Sequence, residues 1–339
     1  MTNQPAGIQD ILGGPRRTLI ILVLVILVSG MGIGGLAFAL FGRIGPAAQP
    51  AATAGQRGSP PAGSAGTETV TETAVAAAPP PCNDPPQVDV TSVNLADQGL
   101  TMKAEFSTTC DDGDTLTGSA VVMSAAQGTR DFGSGVFDLD ADPIMIPPGS
   151  KVDRTLVYPA GTYWRIPELV RDGPMDVQIS DVSQSGDTTS ASDGSSSLTA
   201  IRAANPGHGS LEGTATHALT ELADYDRGSV KANLENFWVP QIGSKKVGLY
   251  ADGITYTNND ILRNHLKLRE RYPNTKLVLS NDWTTFDTPD WWITVVGQPY
   301  YDGRLANQWC DAHGIDADNC FAKVISSRFG PEGTTMMRN

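Results

Sequence analysis

Residues that could perform catalysis are few and scattered. The four histidines form no i,i+4 pair and no HExxH motif, and the chain has no GxSxG elbow, Walker loop or dinucleotide fingerprint. Glycan hydrolysis needs two facing carboxyl groups, one of them desolvated. The aspartates that could supply them all lie at predicted turns or helix caps: Asp252, Asp260, Asp282, Asp287 and Asp290. We therefore expect no enzyme and no cofactor, and a cell-wall hydrolase is the third alternative.

Side chains that suit sugar binding are more numerous. If Ile293 and Val295 face the helices, strand alternation sends rings, hydroxyls and amines to the opposite, open face of a sheet. The set is Tyr250, Lys276, Ser280, Trp292, Thr294, Phe321 and Lys323. Aromatic rings pack on the C–H patches of sugars, and nearby polar groups bond to their hydroxyls. The alternative is that preceding helices or residues 283–288 cover this face, so that Trp292 is a core residue.

These side chains depend on the elements predicted between residues 245 and 328. Apolar runs predict strands at 246–251, 275–281, 291–296 and 320–326. Capped apolar stripes predict helices over 258–272 and from 302 to 314. The order is β-α-β-β-α-β, which predicts a four-stranded sheet with two helices on one face.

This order resembles the sporulation-related repeat, or SPOR, domain. The residues are also similar to a C-terminal extracytoplasmic module of actinobacterial membrane-anchored proteins. The segments that carry the likeness are 238–241, 244–245, 251–253, 266–272, 283–286, 291–295, 309–310 and 318–323. The likeness to SPOR domains is one of topology and covers about a quarter of the chain. It implies an α+β module that binds peptidoglycan, with one departure, since SPOR domains do not need the pair Cys310 and Cys320.

The cysteines form two local pairs, Cys82 with Cys110 and Cys310 with Cys320. Neither spacing matches a zinc motif, so we expect no metal there. Two acidic clusters, 111–114 and 138–142, lack the spacing of a calcium loop. If the chain leaves the cytoplasm, two disulfides are the natural interpretation.

Residues 18–42 predict export. No charge occurs between Thr18 and Phe41, which is long enough to span a hydrocarbon core of about 30 Å as a helix. Arg16 and Arg17 precede the run, so we expect a cytoplasmic tail at 1–17 and everything later outside, anchored in the plasma membrane. A cleaved signal peptide is the alternative.

The remaining segments divide by composition. Residues 43–86 and 183–209 predict flexible linkers, because they are rich in Pro, Ala, Gly, Ser and Thr. Short alternating runs at 87–182 predict an immunoglobulin-like β-sandwich. Apolar stripes at 210–240 predict a helical neck of two helices, the second capped by Asp226. Residues 329–339 remain as a tail.

The predicted fold class is therefore multi-part: a single transmembrane helix, an all-β immunoglobulin-like sandwich, a helical neck and a SPOR-like α+β module. The formal net charge of -13 argues against a nucleic-acid partner. We expect an envelope protein that binds peptidoglycan or another cell-wall glycan without chemistry. The alternative is docking to another envelope protein, as in a secretion or division complex.

Overall fold

The computed structural model describes residues 82–186 and 197–338. Strands dominate this part of the chain. The first eleven are β1 (Gln87–Ala96), β2 (Gly99–Ser107), β3 (Asp114–Thr117), β4 (Val121–Gln127), β5 (Arg130–Phe137), β6 (Ile144–Ile146), β7 (Lys151–Tyr158), β8 (Asp176–Ser180), β9 (Ser183–Ser185), β10 (Ser197–Thr199) and β11 (Arg202–Ala203). The later elements are α1 (Leu211–Asn233), β12 (Trp238–Lys245), β13 (Tyr250–Ala251), β14 (Ile254–Thr255), α2 (Asn258–Arg271), β15 (Thr275–Leu279), β16 (Trp292–Val296), α3 (Gly303–Ala312), β17 (Phe321–Val324) and β18 (Thr335–Met336).

The N-terminal strands form a sheet that closes on itself. Its eight strands run in the order β10-β7-β2-β1-β8-β4-β5-β11, beside a three-stranded sheet β6-β3-β9. Residues 197–203 pair with β7 through β10 and with β5 through β11, so one segment joins both edges. Between those strands the Ala200 amide donates to the Val157 carbonyl at 2.9 Å, and the Ile201 amide donates to the Val136 carbonyl at 2.8 Å. Closure leaves no long free edge.

The β-rich character predicted for 87–182 is confirmed, but the linker predicted at 183–209 is wrong where it is described. Three short strands, β9, β10 and β11, lie in that range, and residues 187–196 lie outside the described part. A composition rich in Ser and Ala predicts low intrinsic order. Here pairing with existing strands supplies the order, which composition does not reveal.

A single helix replaces the predicted helical neck. The Ser210 side chain caps α1 by accepting from the Gly213 amide, and the helix continues through Asp226 to Asn233. Its buried side follows the helical period: Ala215, Ala218, Leu219, Leu222, Ala223, Asp226 and Val230. Asp226 was predicted to start a second helix as its cap, and this was wrong because its carboxylate is buried inside the helix interface. The residues that follow form strand β12.

The C-terminal sheet has the strand order β15-β16-β12-β17-β18, with all neighbours antiparallel. Helix α2 packs on one face, where His265 meets Thr294 of β16. Helix α3 lies on the same face, since its Cys310 packs with Val296. The C-terminal part of α1 and Trp283 cover the other face, against Val278, Ile293 and Val295. Both faces of the sheet are therefore covered.

The predicted multi-part fold class is wrong. The described chain is mostly β-sheet with three helices, and none of these three combines the length and apolar character needed to cross a membrane. The predicted anchor at 18–42, the tail at 1–17 and residues 43–81 of the linker predicted at 43–86 lie outside the described residues. The sandwich, neck and terminal module were predicted as separate bodies, whereas one buried cluster joins Phe106 and Trp164 of the β-rich part to Leu219 and Leu266.

A buried carboxylate ties α1 to the C-terminal sheet. The side chain of Asp226 is fully buried and accepts from Arg269 of α2 at 2.8 Å and from the Leu277 amide of β15 at 2.8 Å. The Lys276 ammonium lies 3.5 Å from its other oxygen, as an ion pair. The Asp226 carboxylate thus accepts a hydrogen bond from an amide on the outer edge of β15, and its negative charge lies beside two cations. Removing one partner of a buried pair leaves an uncompensated charge.

We expect Asp226→Asn to lower the free energy of unfolding by about 3–5 kcal/mol, because Arg269 loses its buried counter-charge. Urea unfolding of both proteins measures this difference. The matched control is Asp224→Asn on the same helix, whose ion pair with Arg227 is half exposed and is expected to contribute at most about 1 kcal/mol. Equal stability of Asp226→Asn and Asp224→Asn would contradict the assignment.

His265 packs in a fully desolvated position between α2 and the sheet. Its Nδ1 lies 3.0 Å from the Thr294 hydroxyl, and Nε2 is buried and has no hydrogen-bond partner among the described residues. Burial, and then the charges of Arg269 and Lys276, hold the pKa of His265 well below its usual value of 6.5. The folded chain therefore keeps this ring neutral under conditions where the unfolded chain protonates it.

Stability should fall on acidification. Below about pH 6.5 His265 binds a proton in the unfolded chain but stays neutral in the folded chain. The free energy of unfolding therefore drops by up to about 1.4 kcal/mol per pH unit. Denaturation between pH 7.5 and 5.5 should show this slope in the wild type and a shallower slope in His265→Gln. The exposed His217→Gln serves as control. Identical slopes in the wild type and His265→Gln would exclude this linkage.

Candidate functional site

The predicted sugar-binding residues are not together on one open face. Ser280 and Thr294 are buried: the Ser280 hydroxyl accepts from the Trp291 amide at 3.0 Å, and Thr294 meets His265. Lys276 lies under α1, paired with Asp226. These three side chains have structural partners in the core, so the prediction that they line a bare surface is wrong.

The other four predicted residues lie at different places in the structure. Lys323 is buried, donates to the Thr285 carbonyl at 2.7 Å and to two threonine hydroxyls, and lies over the ring of Phe286. Tyr250 is 73% exposed on the β13–β14 hairpin, outside the main sheet. Trp292 is half-buried and lines a cavity of about 540 Å³ with Lys246 and Leu279. Phe321 alone borders the groove described next.

The orientation predicted for the central strand is reversed. Thr294 faces α2, whereas Ile293 and Val295 face α1. A strand covered on both faces is apolar at most positions on both sides, so alternation cannot select which side meets which helix. The alternative stated from the sequence, cover by preceding helices and residues 283–288, matches the contacts of α1 and Trp283 on the second face.

The candidate site is a groove of about 400 Å³ in the C-terminal part of the chain, here called the C-terminal groove. Its floor is the second half of β12, from Gln241 to Lys245. Helix α2 and the residue after it form one wall, and the loop after α3 forms the other. The wall residues are Asn264, Leu268, Arg271, Tyr272, Gly314, Ile315, Asp316, Asp318 and Asn319, with Asp252 and Phe321 at the margins.

The groove exists because β17 is short. Strand β17 begins at Phe321, opposite Gln241, so β12 continues from 242 to 245 without a partner on that side. At Gly243 the helix approaches closely, since a Cβ there would lie 3.2 Å from Leu268 and 3.3 Å from Thr294. The strand edge and the wall loop therefore bound an open channel.

A disulfide holds the wall loop. Cys310 of α3 and Cys320 before β17 are bonded and fully buried, and they bracket residues 311–319. Inside the loop, Asp316 accepts from the amide and side chain of Asn319 at 2.9 Å. These hydrogen bonds, first that of the Asn319 side chain, hold the pKa of Asp316 below its usual value. Both predicted disulfides are confirmed, Cys82 with Cys110 being the other.

A charged cluster closes one end of the groove. Asp252 and Gly253 form the β13–β14 turn with φ of 55° and 80°, which favours an Asp-Gly pair. Asp252 accepts from Tyr256 at 2.7 Å and from Lys245 at 2.9 Å, and these contacts hold its pKa below the usual value. Burial acts to lower the pKa of Lys245, but Asp252 and Tyr256 raise it overall. Both groups are therefore charged at neutral pH.

A cluster of three rings lies next to the groove, with Tyr272 buried, Trp309 half-buried and His313 exposed. The rings of Trp309 and His313 are stacked at 3.8 Å, and Tyr272 meets both edge to face at 5.3 and 5.6 Å. Arg271 lies over the Tyr272 ring. A second cavity of about 380 Å³ lies against this ring cluster, lined also by Asn274 and Gln298. Arg271 and Tyr272 border both cavities.

Sequence reasoning missed most groove residues. Asn264, Arg271 and Asn319 carry no motif, because they lie on a helix exterior and in a loop. One signal was available: two cysteines ten positions apart enclose a short polar segment, and a loop held by a covalent bond can present fixed side chains. The acidic clusters have local roles instead. Asp140 accepts from the Gly118 amide at 2.8 Å, and Asp138 caps the turn that follows it.

Comparison of the chain with protein-family models found no match. Comparison with curated proteins found none either. Comparison with solved structures likewise found none. The chemistry of the C-terminal groove is therefore inferred from its own side chains.

Loss of the Cys310–Cys320 bond should loosen the groove wall. We expect Cys310→Ser with Cys320→Ser to lose about 2–4 kcal/mol of stability, since the unfolded chain is freed from a cross-link. Hydrogen exchange should speed up in residues 311–319. The matched control, Cys82→Ser with Cys110→Ser, should leave exchange in 311–319 unchanged. Equal exchange of 311–319 in all variants would show that the bond does not hold the wall.

Proposed function

We propose that this chain is an extracytoplasmic protein of the cell envelope that binds peptidoglycan glycan non-covalently in the C-terminal groove. The observation that carries the proposal is the groove itself: amides, carboxylates and cations line its walls, beside a ring cluster in which Trp309 is half-buried and His313 is exposed. Sugars combine hydroxyl groups with apolar C–H patches, so they suit both parts of this surface.

Different side chains of the groove suit different parts of a sugar. Asn264, Asn319 and Gln241 offer amides that both donate and accept hydrogen bonds. The ionised carboxylates of Asp252 and Asp316 accept from hydroxyl groups. The rings of Trp309 and His313 give a stacking platform, and Arg271 stands between the two cavities as a donor to amide or carboxylate oxygens.

Two features support binding without chemistry and outside the cytoplasm. A glycosidase needs a carboxyl group whose pKa is raised so that it can donate a proton. In the groove the pKa values of Asp252 and Asp316 are shifted the other way, downward. The two disulfides suit an oxidising compartment, where such bonds persist.

The proposal predicts retention on purified peptidoglycan sacculi. Asn264→Ala with Asp318→Ala removes two groove side chains without touching the core and should weaken retention at least about tenfold, because each lost hydrogen bond costs about 1 kcal/mol or more. Cosedimentation of the full chain with sacculi gives the affinity. Lys267→Ala, on the outer side of α2, is the matched control and should bind as the wild type does.

Two results would refute the groove as the binding site. One is the absence of retention for the wild-type chain. The other is equal retention of the wild type and the groove variant. If retention falls instead in Tyr250→Ala or in a Trp292 variant, the glycan binds at the hairpin or at the Lys246 cavity.

Docking to another envelope protein is the alternative function, and one observation favours it. Tyr301 is 90% exposed, its ring packs edge to face on Phe237 at 5.2 Å, and Leu305 is also exposed. Exposed rings of this kind are enriched at protein interfaces. Crosslinking in intact cells separates the two functions, because a protein adduct that requires Tyr301, without retention on sacculi, would favour docking.

A further inference from the structure

Another cavity lies away from the C-terminal groove. It has a volume of about 860 Å³ and lies between the N-terminal half of α1 and the β-rich part. Most of the residues that line it have polar side chains: Arg130, Arg165, Arg171, His208, His217, Glu221, Asp224 and the hydroxyl residues Thr129, Ser210, Thr214 and Thr220. Nothing in the proposed glycan function uses these side chains.

Three arginines converge on one carboxylate in this cavity. Glu221 of α1 accepts from Arg165 at 2.8 Å and from Arg171 at 3.1 Å, and it also pairs with Arg130. Burial acts to raise the pKa of Glu221, but Arg165 and Arg130 outweigh it and lower the pKa overall. The glutamate is thus ionised, and it balances only one of the three guanidinium charges.

The three arginines differ in exposure and in their protein partners. Arg165 is only 5% exposed and is also held by the Asp131 carbonyl, and Arg130 donates to the Leu169 carbonyl at 3.0 Å. These two are fixed before a ligand arrives. Arg171 is 68% exposed. A guanidinium has five N–H donors, and each arginine commits only part of them to protein oxygens.

A fixed histidine also lines the cavity. The carboxylate of Asp131 is almost fully buried and accepts from the backbone amide of His208, and Nδ1 of the His208 ring lies 3.1 Å from the same carboxylate. This contact orients the ring, and His208 lines the cavity together with the exposed His217. On the acidic side, Asp224 already pairs with Arg227, which lies outside the cavity lining.

We propose that this cavity binds a small organic phosphate ester that carries free hydroxyl groups, such as a polyol or sugar phosphate. Guanidinium groups match the geometry of phosphate oxygens, and charge-assisted bonds of this kind are the stronger ones. The hydroxyl residues and the carboxylate of Asp224 suit the hydroxyls of the ligand. A long polyanion is disfavoured, because the chain as a whole has a net charge of -13.

Titration calorimetry of the full chain tests this with glycerol 3-phosphate, inorganic phosphate and glycerol as probes. We expect glycerol 3-phosphate to bind more tightly than either of the other two. Arg171→Ala and His217→Ala, both at exposed positions, should each weaken it at least about tenfold. Arg202→Ala removes an exposed arginine outside the cavity and should leave the affinity unchanged.

Several outcomes would overturn the proposal. Absence of saturable binding of glycerol 3-phosphate excludes the site. If Arg202→Ala and Arg171→Ala weaken the binding of glycerol 3-phosphate equally, the phosphate is attracted non-specifically to cationic side chains. If inorganic phosphate binds as tightly as glycerol 3-phosphate, the hydroxyl residues and Asp224 do not contribute to ligand binding as proposed. Since the proposal does not rest on the glycan function, failure of one leaves the other standing.

Discussion

The described architecture depends on the contacts that the Asp226 carboxylate makes. This carboxylate is fully buried within α1, yet its partners are Arg269 of α2 and the Leu277 amide and Lys276 side chain of β15. A buried charge is stable only when its partners are in place, so these three elements must assemble in one arrangement. Helix α1 is thereby fixed against the C-terminal sheet.

This arrangement also explains why two different cavities flank α1 and the sheet. The N-terminal half of α1 faces the β-rich part, where Glu221 holds three arginines. Its C-terminal half covers the sheet face of Ile293 and Val295. That cover leaves the channel between α2 and the disulfide loop as the open polar surface of the C-terminal sheet. The helix is therefore a structural partner of both sites rather than a spacer.

Local features were predictable from the sequence because their causes are local. The Asp252–Gly253 turn, the Thr257 cap of α2 and the cysteine pairs each depend on a few neighbouring residues. The strand order and the path of residues 197–203 depend on pairing between distant segments. Asp226 shows the limit most clearly: an aspartate after an apolar stripe is typical of a helix cap, and only partners 43 and more positions away make it a core residue.

The candidate site lies at a different place from the predicted one for a similar reason. Alternation in 291–296 indicated two faces but not which one would be covered, and both are. Rings were expected at the open surface on strands. The ring cluster lies instead at the ends of α2 and α3, where Tyr272 is buried, Trp309 is half-buried and His313 is exposed. Sequence spacing finds aromatic residues readily, whereas a groove made by a strand that outruns its neighbour appears only in three dimensions.

Hydrogen exchange with soluble glycan fragments of peptidoglycan tests the central assignment most directly. If the C-terminal groove holds the glycan, exchange should slow in residues 264–272 and 311–319 and stay unchanged in residues 288–292. Protection confined to 250–255 or to residues 288–292, or no protection in any of these segments, would contradict the account.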